Sequence, residues 1–258
     1  MKIVFTIAGS DSGGGAGIEA DIKTISALGA YACTTITAVT AQNTLGVAGV
    51  HTLPAAFVAL AMKTVLDDFR VDTVKLGMLA NEAIIRAVAG VLPDTIPIVL
   101  DPVMVATSGA VLLEEGAIAA MRQLLLPRAT LVTPNLPEAA RLTGLPVGNA
   151  AERIAAGHAL RAMGARAALV KGGHGDDDML TDYLVTDTAV EAIILPRLHT
   201  SSTHGTGCTM ASAIATGLAQ GLPLLASVRR ARDYLQEAIR TAPGFGAGHG
   251  PVNHLVRI

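Results

Sequence analysis

Tryptophan is absent from the 258-residue chain, and three tyrosines and four phenylalanines bring the aromatic share to only 3%. Without rows of aromatic faces there is no platform on which bases would stack, and a formal net charge of −2 leaves no basic stripe for a phosphate backbone, so nucleic-acid binding is not expected. Cysteine is nearly as scarce: Cys33 and Cys208 lack a Cys-x-x-Cys spacing, which excludes a disulfide framework and fits a reducing cytoplasmic setting. Charged residues make up only 16% against 51% hydrophobic ones, too apolar a mixture for a disordered chain. Long hydrophobic runs are nevertheless missing; the stretch from Ala55 is stopped by Lys63, well short of a bilayer span, and no membrane segment is expected. The seven histidines form neither a His-Glu-x-x-His pair nor a cluster with cysteine, so a catalytic zinc is not expected either.

What is there is an alternation. Short β-branched apolar runs, Ile3 to Ala8, Thr34 to Val39, Val74 to Leu76, Ile96 to Leu100, Leu131 to Val132 and Ala167 to Val170, read as strands. The first run is too soon followed by Asp11 and glycines to be an export signal. Helical patterns lie between the runs: Ile18 to Leu28, Ala55 to Asp68, Glu82 to Val91, Glu115 to Leu125 and Ala151 to Met163. Near-continuous apolarity in the strands points to a parallel sheet covered on both faces. Leu180 to Val185 and Val190 to Leu195, around the turn Thr186, Asp187, Thr188, predict an antiparallel hairpin before two closing helices, Thr206 to Gln220 and Leu224 to Thr241. The expectation is an α/β fold with one doubly wound, mostly parallel sheet, forming a single domain over residues 1–258. Ligands in such folds sit beyond the carboxyl ends of the strands.

Those ends carry the unusual residues. The first strand runs into Gly9, Ser10, Asp11, Ser12, Gly13, Gly14, Gly15, Ala16 and Gly17, a loop suited either to a tight turn or to backbone N–H groups approaching a ligand. Its spacing is not G-x-G-x-x-G, and the second strand leads to Thr40, Ala41, Gln42 instead of a ribose-binding acid, which disfavours a nicotinamide or flavin oxidoreductase. A G-x-x-x-x-G-K-[ST] phosphate loop is also lacking.

Later, Thr203, His204, Gly205, Thr206, Gly207, Cys208, Thr209 opens a helix whose unpaired N–H groups and positive dipole end make an anion hole. Cys208 there is either a packed residue or a base toward a substrate hydroxyl, with ionisation favoured by the helix end and opposed by any bound phosphate. Asn135 and Glu138, after another strand, form a capping box or face a Mg²⁺ through waters. Asp101 either helps that metal or turns the chain. Lys171, ahead of Gly172 and Gly173, is a solvated lysine or a partner for nucleotide phosphates.

Taken in order, Ala8 to Gly17 with Asp21, Ala41 to Thr44, Leu76 to Leu79, Asp101 to Met104, Thr133 to Ala139, Val170 to His174 and His204 to Thr209 closely resemble the hydroxymethylpyrimidine/phosphomethylpyrimidine kinases of the ribokinase-like superfamily, nearly end to end. The resemblance implies ATP-dependent phosphorylation of 4-amino-5-hydroxymethyl-2-methylpyrimidine and then of its monophosphate, for thiamine biosynthesis, by a homodimer. It implies an anion hole at Gly205, Thr206 and Gly207, with Cys208 standing where many sugar-kinase relatives carry an aspartate base. Asn135 and Glu138 would serve Mg²⁺ and nucleotide phosphates, with Asp101 near the metal and Lys171 along the ATP path. Gly9, Asp21, Gln42, Met78 and Val103 would surround the ring, with Asp21 either bonding the substrate or capping backbone amides. The amide of Gln42 offers one donor and one acceptor to the amino group and ring nitrogen.

Many relatives carry Pro-Ser where Ser12 and Gly13 stand, and Asn where Ser202 stands, which bears on substrate breadth. Some with the same Gly-Thr-Gly-Cys ending accept B6 vitamers, so a pyridoxal kinase is the alternative. A non-catalytic pyrimidine-binding module is a further one, against which Cys208, Lys171 and Glu138 count.

Overall fold

The computed structural model describes residues 1–106, 109–173 and 178–256. Among the described residues, nine strands form one sheet in the order β3-β2-β1-β4-β5-β6-β7-β8-β9. Six of them run parallel: β1 (Ile3–Asp11), β2 (Tyr31–Asn43), β4 (Thr73–Leu76), β5 (Ile98–Leu100), β6 (Leu131–Val132) and β7 (Ala168–Val170). The expected hairpin is present as β8 (Met179–Val185) and β9 (Val190–Pro196), in register from Met179 opposite Pro196 to Val185 opposite Val190. It lies antiparallel to β7. At the other edge β3 (Gly46–Thr52) folds back on β2, a strand the sequence reading omits. Gly46 and Gly49 lower its strand propensity, and it is mostly exposed, so no apolar run marks it.

Alternate residues of the strands feed two cores. Phe5, Ile7, Leu76, Ile98 and Leu100 pack against α2 (Ala55–Asp68), α3 (Glu82–Val91) and the α4 (Ala117–Ala120) segment. Val4, Val99, Leu131 and Leu169 pack against α1 (Gly17–Ala27), α7 (Thr206–Ala219) and α8 (Leu224–Arg240) on the opposite face. This is the period-2 alternation of a sheet covered on both sides. Two helices complete the first face, α5 (Leu136–Thr143) and α6 (Ala150–Ala162).

Some boundaries move. The helix expected over Glu115 to Leu125 narrows to one turn of α4, then widens into a π-helical stretch, Met121–Leu125, and ends in a 3₁₀ turn at Leu126–Arg128, where Pro127 cannot continue an α-helical ladder. The strand expected from Ile96 starts at Ile98, after Pro97, whose missing N–H removes a ladder donor. Because β2 and β4 lie on either side of β1, the winding reverses there, and the carboxyl ends of β1, β2, β4, β5, β6 and β7 open on one crevice.

Candidate active site

One cavity of about 690 Å³ occupies that crevice, and it is lined by Gly9, Gln42, Met78, Asp101, Val103, Asn135, Glu138, Lys171 and the run Gly205 to Cys208. Except for Asp21, every residue expected in the site therefore faces one space. Asp21 lies beneath it, fully buried, its carboxylate accepting from Lys75 Nζ at 2.8 and 2.9 Å, from Thr6 Oγ1 at 2.5 Å and from Ser212 Oγ at 2.7 Å. Asp21 thus does not line the cavity and faces inward from α1 to neutralise a lysine from β4.

The anion-hole loop is built on close backbone approach. Gly205 is left-handed at φ 80°, and a Cβ there would come within 1.8 Å of the Gly15 carbonyl oxygen, so only glycine lets the two loops meet. α7 starts at once, with Thr206, Gly207 and Cys208 in its first turn, and a Cβ at Gly207 would lie 3.4 Å from both Asp101 Oδ2 and Lys171 Nζ. The helix end and the charged pair thus share one end of the cavity.

Lys171 is not a solvated lysine: its side chain is 15% exposed and donates to Asp101 Oδ1 at 3.0 Å, while Thr133 Oγ1 meets the same oxygen at 3.0 Å. Burial would lower the Lys171 pKa, but the Asp101 and Glu138 carboxylates outweigh it and hold it above the ordinary lysine value. Asn135 and Glu138 do make the capping box of α5, with Asn135 Oδ1 accepting from Glu138 N at 2.9 Å and Glu138 Oε2 from Asn135 N at 2.8 Å. Burial pushes the Glu138 carboxyl up to about 7, against the pull of Lys171 and with the push of Asp101.

At Cys208 the two opposed influences on ionisation are joined by burial. Burial pushes its thiol up to about 11, with Lys75 pulling down and Asp21 and Asp101 pushing further up. The helix end does not overcome that desolvation.

Three groups escaped sequence reasoning. Asp11 accepts from the backbone of Gly13 at 2.8 Å, Gly15 at 2.9 Å and Ala16 at 2.8 Å, and from His204 Nε2 at 2.7 Å, so it is the post around which the glycine loop is wound. Lys75 was signalled only by a charge inside an apolar strand. Asp182, from β8, accepts from Gly172 N at 2.8 Å and faces Arg232 Nε of α8 at 3.3 Å, bracing the turn after Lys171. The string from Val170 to His174 ends on a residue outside those described.

Among the described residues no group of three or more His, Cys, Asp or Glu side chains could hold a metal alone, and no helix is long and apolar enough to cross a membrane. Two carboxylates stand beside one ammonium at the Asp101 end of the cavity. That donor set fits a Mg²⁺ that keeps its waters and takes further oxygens from nucleotide phosphates.

The phosphomethylpyrimidine kinase family model matches residues 11–253. The chain is 49% identical to the thiamine biosynthesis bifunctional protein of Geobacter sulfurreducens, covering 98% of this chain but 52% of that protein, so it spans about half of that relative's length. It is 44% identical to the hydroxymethylpyrimidine/phosphomethylpyrimidine kinase of Haemophilus influenzae over 98% of this chain and 97% of the other. Among solved structures, the ADP complex of Bacillus subtilis pyridoxal kinase superimposes with a TM-score of 0.91 at 31% identity, over 98% of this chain and 97% of that one.

Proposed function

Because the chain belongs to the phosphomethylpyrimidine kinase family, acting on hydroxymethylpyrimidine and its monophosphate for thiamine biosynthesis, we propose that the crevice residues perform that transfer as follows. The pyrimidine lies at the Gly9, Gln42, Met78 and Val103 end, where Gln42 reads its polar edge and Met78 and Val103 wall its faces. ATP takes the other end, its adenine against the apolar Leu180, Leu198, Leu235 and Ile239, all of which line the cavity. Its phosphates run past Lys171 and Asn135 toward the first turn of α7.

The hydroxymethyl oxygen attacks the γ-phosphorus, the bond from that phosphorus to the β,γ-bridging oxygen breaks, and ADP leaves. Such transfers have loose transition states in which positioning and charge neutralisation dominate. The N–H groups at Gly205 to Gly207 and the Lys171 ammonium meet the charge on the equatorial oxygens. Cys208, in its thiolate form, accepts the hydroxyl proton and becomes the thiol. Mg²⁺, held through Asp101 and Glu138, would neutralise the nucleotide phosphates.

The observation that carries this reading is the close approach of the helix start to the Lys171–Asp101 pair at Gly207, since it puts the helix dipole and a lysine ammonium at one point. The single-domain organisation and the homodimer belong to the same proposal: one sheet carries all nine strands, and β3 leaves an edge, with Val50 exposed, that a second copy would cover. Sedimentation velocity checks the dimer.

An assay with ATP and Mg²⁺ tests the chemistry, offering hydroxymethylpyrimidine, its monophosphate and pyridoxal separately and weighing the products. Diphosphate formed from the monophosphate supports the reading. Transfer to pyridoxal alone would replace it with B6 salvage.

A further inference from the structure

Gln42 has two polar neighbours inside the protein. Its side-chain amide nitrogen stands 3.3 Å from His204 Nε2, and its amide oxygen stands 3.3 Å from Thr40 Oγ1. The backbone of Gln42 is already fixed, because the Ser12 hydroxyl donates to its carbonyl and accepts from its N–H, both at 2.8 Å. Only the side-chain torsions remain to be decided, and the protons of the two neighbours decide them.

His204 Nε2 lies 2.7 Å from Asp11 Oδ2, a carboxylate oxygen that already accepts from Gly15 N and Ala16 N. An ionised carboxylate only accepts, so Nε2 carries a hydrogen and donates it. Burial opposes that ionisation, but the hydrogen bonds from His204, Ala16 and Gly13 outweigh it and keep Asp11 below the ordinary carboxylate range. That one hydrogen is aimed at Asp11, and the atom of Gln42 at 3.3 Å can share it only as an acceptor, while an amide N–H would find no lone pair on Nε2, so the amide oxygen belongs there. Thr40 leads to the same result independently. Its one hydroxyl proton goes to the Ser10 carbonyl at 2.9 Å, which leaves Thr40 Oγ1 an acceptor that calls for the amide nitrogen of Gln42. Turning the amide end over, which exchanges N and O in nearly the same positions, satisfies both neighbours.

We propose that Asp11, acting through His204 and seconded by Thr40, locks the Gln42 amide with its oxygen toward His204 and its nitrogen toward Thr40, and thereby fixes which way round the pyrimidine lies. Asp11, His204 and Thr40 are positioning residues in this scheme. The amide oxygen takes a hydrogen from the 4-amino group and the amide nitrogen gives one to the adjacent ring nitrogen. The 4-amino group therefore lies on the His204 side. The hydroxymethyl carbon is bonded to the ring carbon next to the amino-bearing one, on the side away from that ring nitrogen, so it too is turned toward His204. The next residue is Gly205, where the anion hole begins. With the amide reversed, the hydroxymethyl group would point away from the phosphate. The same lock rejects a ring that carries a 4-oxo group and a protonated neighbour nitrogen, because that edge asks for the opposite amide.

The inference rests on Gln42 as the reader of the ring, and the test separates the two. The kcat/KM ratio for 4-amino-5-hydroxymethyl-2-methylpyrimidine over its 4-oxo counterpart is measured in the native chain, in Gln42→Ala, in His204→Leu and in Thr40→Val. The native ratio is expected to be at least about a hundredfold, since an unpaired buried polar edge is strongly rejected. In His204→Leu one of the two restraints is gone and the ratio falls about tenfold or more. Thr40→Val, an isosteric change on a strand, removes the other restraint and lowers the ratio in the same direction, which carries the test if the leucine variant does not fold. A loss of kcat/KM by one common factor for both substrates, with the ratio unchanged in both variants, would overturn the lock and leave His204 a structural residue. An unchanged ratio in Gln42→Ala would overturn the reading of Gln42 and the lock with it.

Discussion

Two side chains in the cavity are held away from the charge state that chemistry would ask of them. Glu138 has its carboxyl pushed up to about 7 by burial, so it holds a proton more readily in the folded chain than in the unfolded one. A raised carboxyl favours the folded state while both forms are protonated, and that contribution is lost as pH rises from the ordinary value near 4.5 through 7. In the absence of nucleotide, thermal stability should therefore fall across that window. Glu138→Gln, whose amide oxygen can still accept from Asn135 N, should flatten the fall and be a few degrees more stable near pH 8, by calorimetry. The same variant should lose transfer activity, because a neutral amide gives Mg²⁺ less to bind through. Equal slopes of stability against pH in both proteins would put the raised carboxyl in error.

Cys208, at about 11, is a thiol at neutral pH, so only its thiolate fraction, which grows as pH rises, can take the hydroxyl proton, and a loose transition state lets that proton leave late. Cys208→Ala should lower kcat on the order of a hundredfold or more with the pyrimidine KM little changed. Retained turnover would reduce the cysteine to packing. The glycine loops, Cys208, Lys171 and the capping box were legible because each is a local string after a strand. Asp11 with His204 and Asp21 with Lys75 were not, since the partners stand 193 and 54 positions apart and only the folded sheet makes them neighbours.

At the scale of elements, local pattern served where burial was two-sided and failed where it was not. The six parallel strands announce themselves as apolar runs because helices cover both faces, whereas β3 covers an edge with glycines and exposed side chains and resembles a loop in sequence. The junction of the glycine loop with α7 has a sharper requirement. At Gly205 a methyl would meet the Gly15 carbonyl at 1.8 Å and sit in left-handed backbone, while at Gly29, also left-handed at φ 80°, a methyl would meet nothing within 4 Å. Gly29→Ala should cost about 1 kcal/mol, the conformational term alone. Gly205→Ala should cost at least about 2 kcal/mol more in urea unfolding, because the loops must part, and should abolish transfer. Equal costs would mean that the loops separate freely and that their contact does not shape the anion hole.

Across the whole molecule, one ion pair ties the layers together under the crevice. Lys75 comes from β4 and Asp21 from α1; Thr6 of β1 and Ser212 of α7 complete the carboxylate's partners, and both charged side chains are 0% exposed. Burial would lower the Lys75 pKa, but Asp21, Cys208 and Asp101 outweigh it and keep the amine charged. Such a pair need not add net stability, yet breaking it strands a charge. Lys75→Met should destabilise the chain by about 3–5 kcal/mol, whereas Lys75→Met combined with Asp21→Leu should recover most of that loss, because neither charge is then left alone. The two variants also separate stability from function. Ser212 stands one turn beyond Cys208 on α7, so the carboxylate that holds Ser212 also sets how the start of that helix faces the cavity. The double variant should therefore fold nearly as well as the native chain in urea titration while its kcat falls and its pyrimidine KM moves little. Recovery of full kcat along with stability would confine the pair to holding the layers together and leave the orientation of α7 to Gly205 alone.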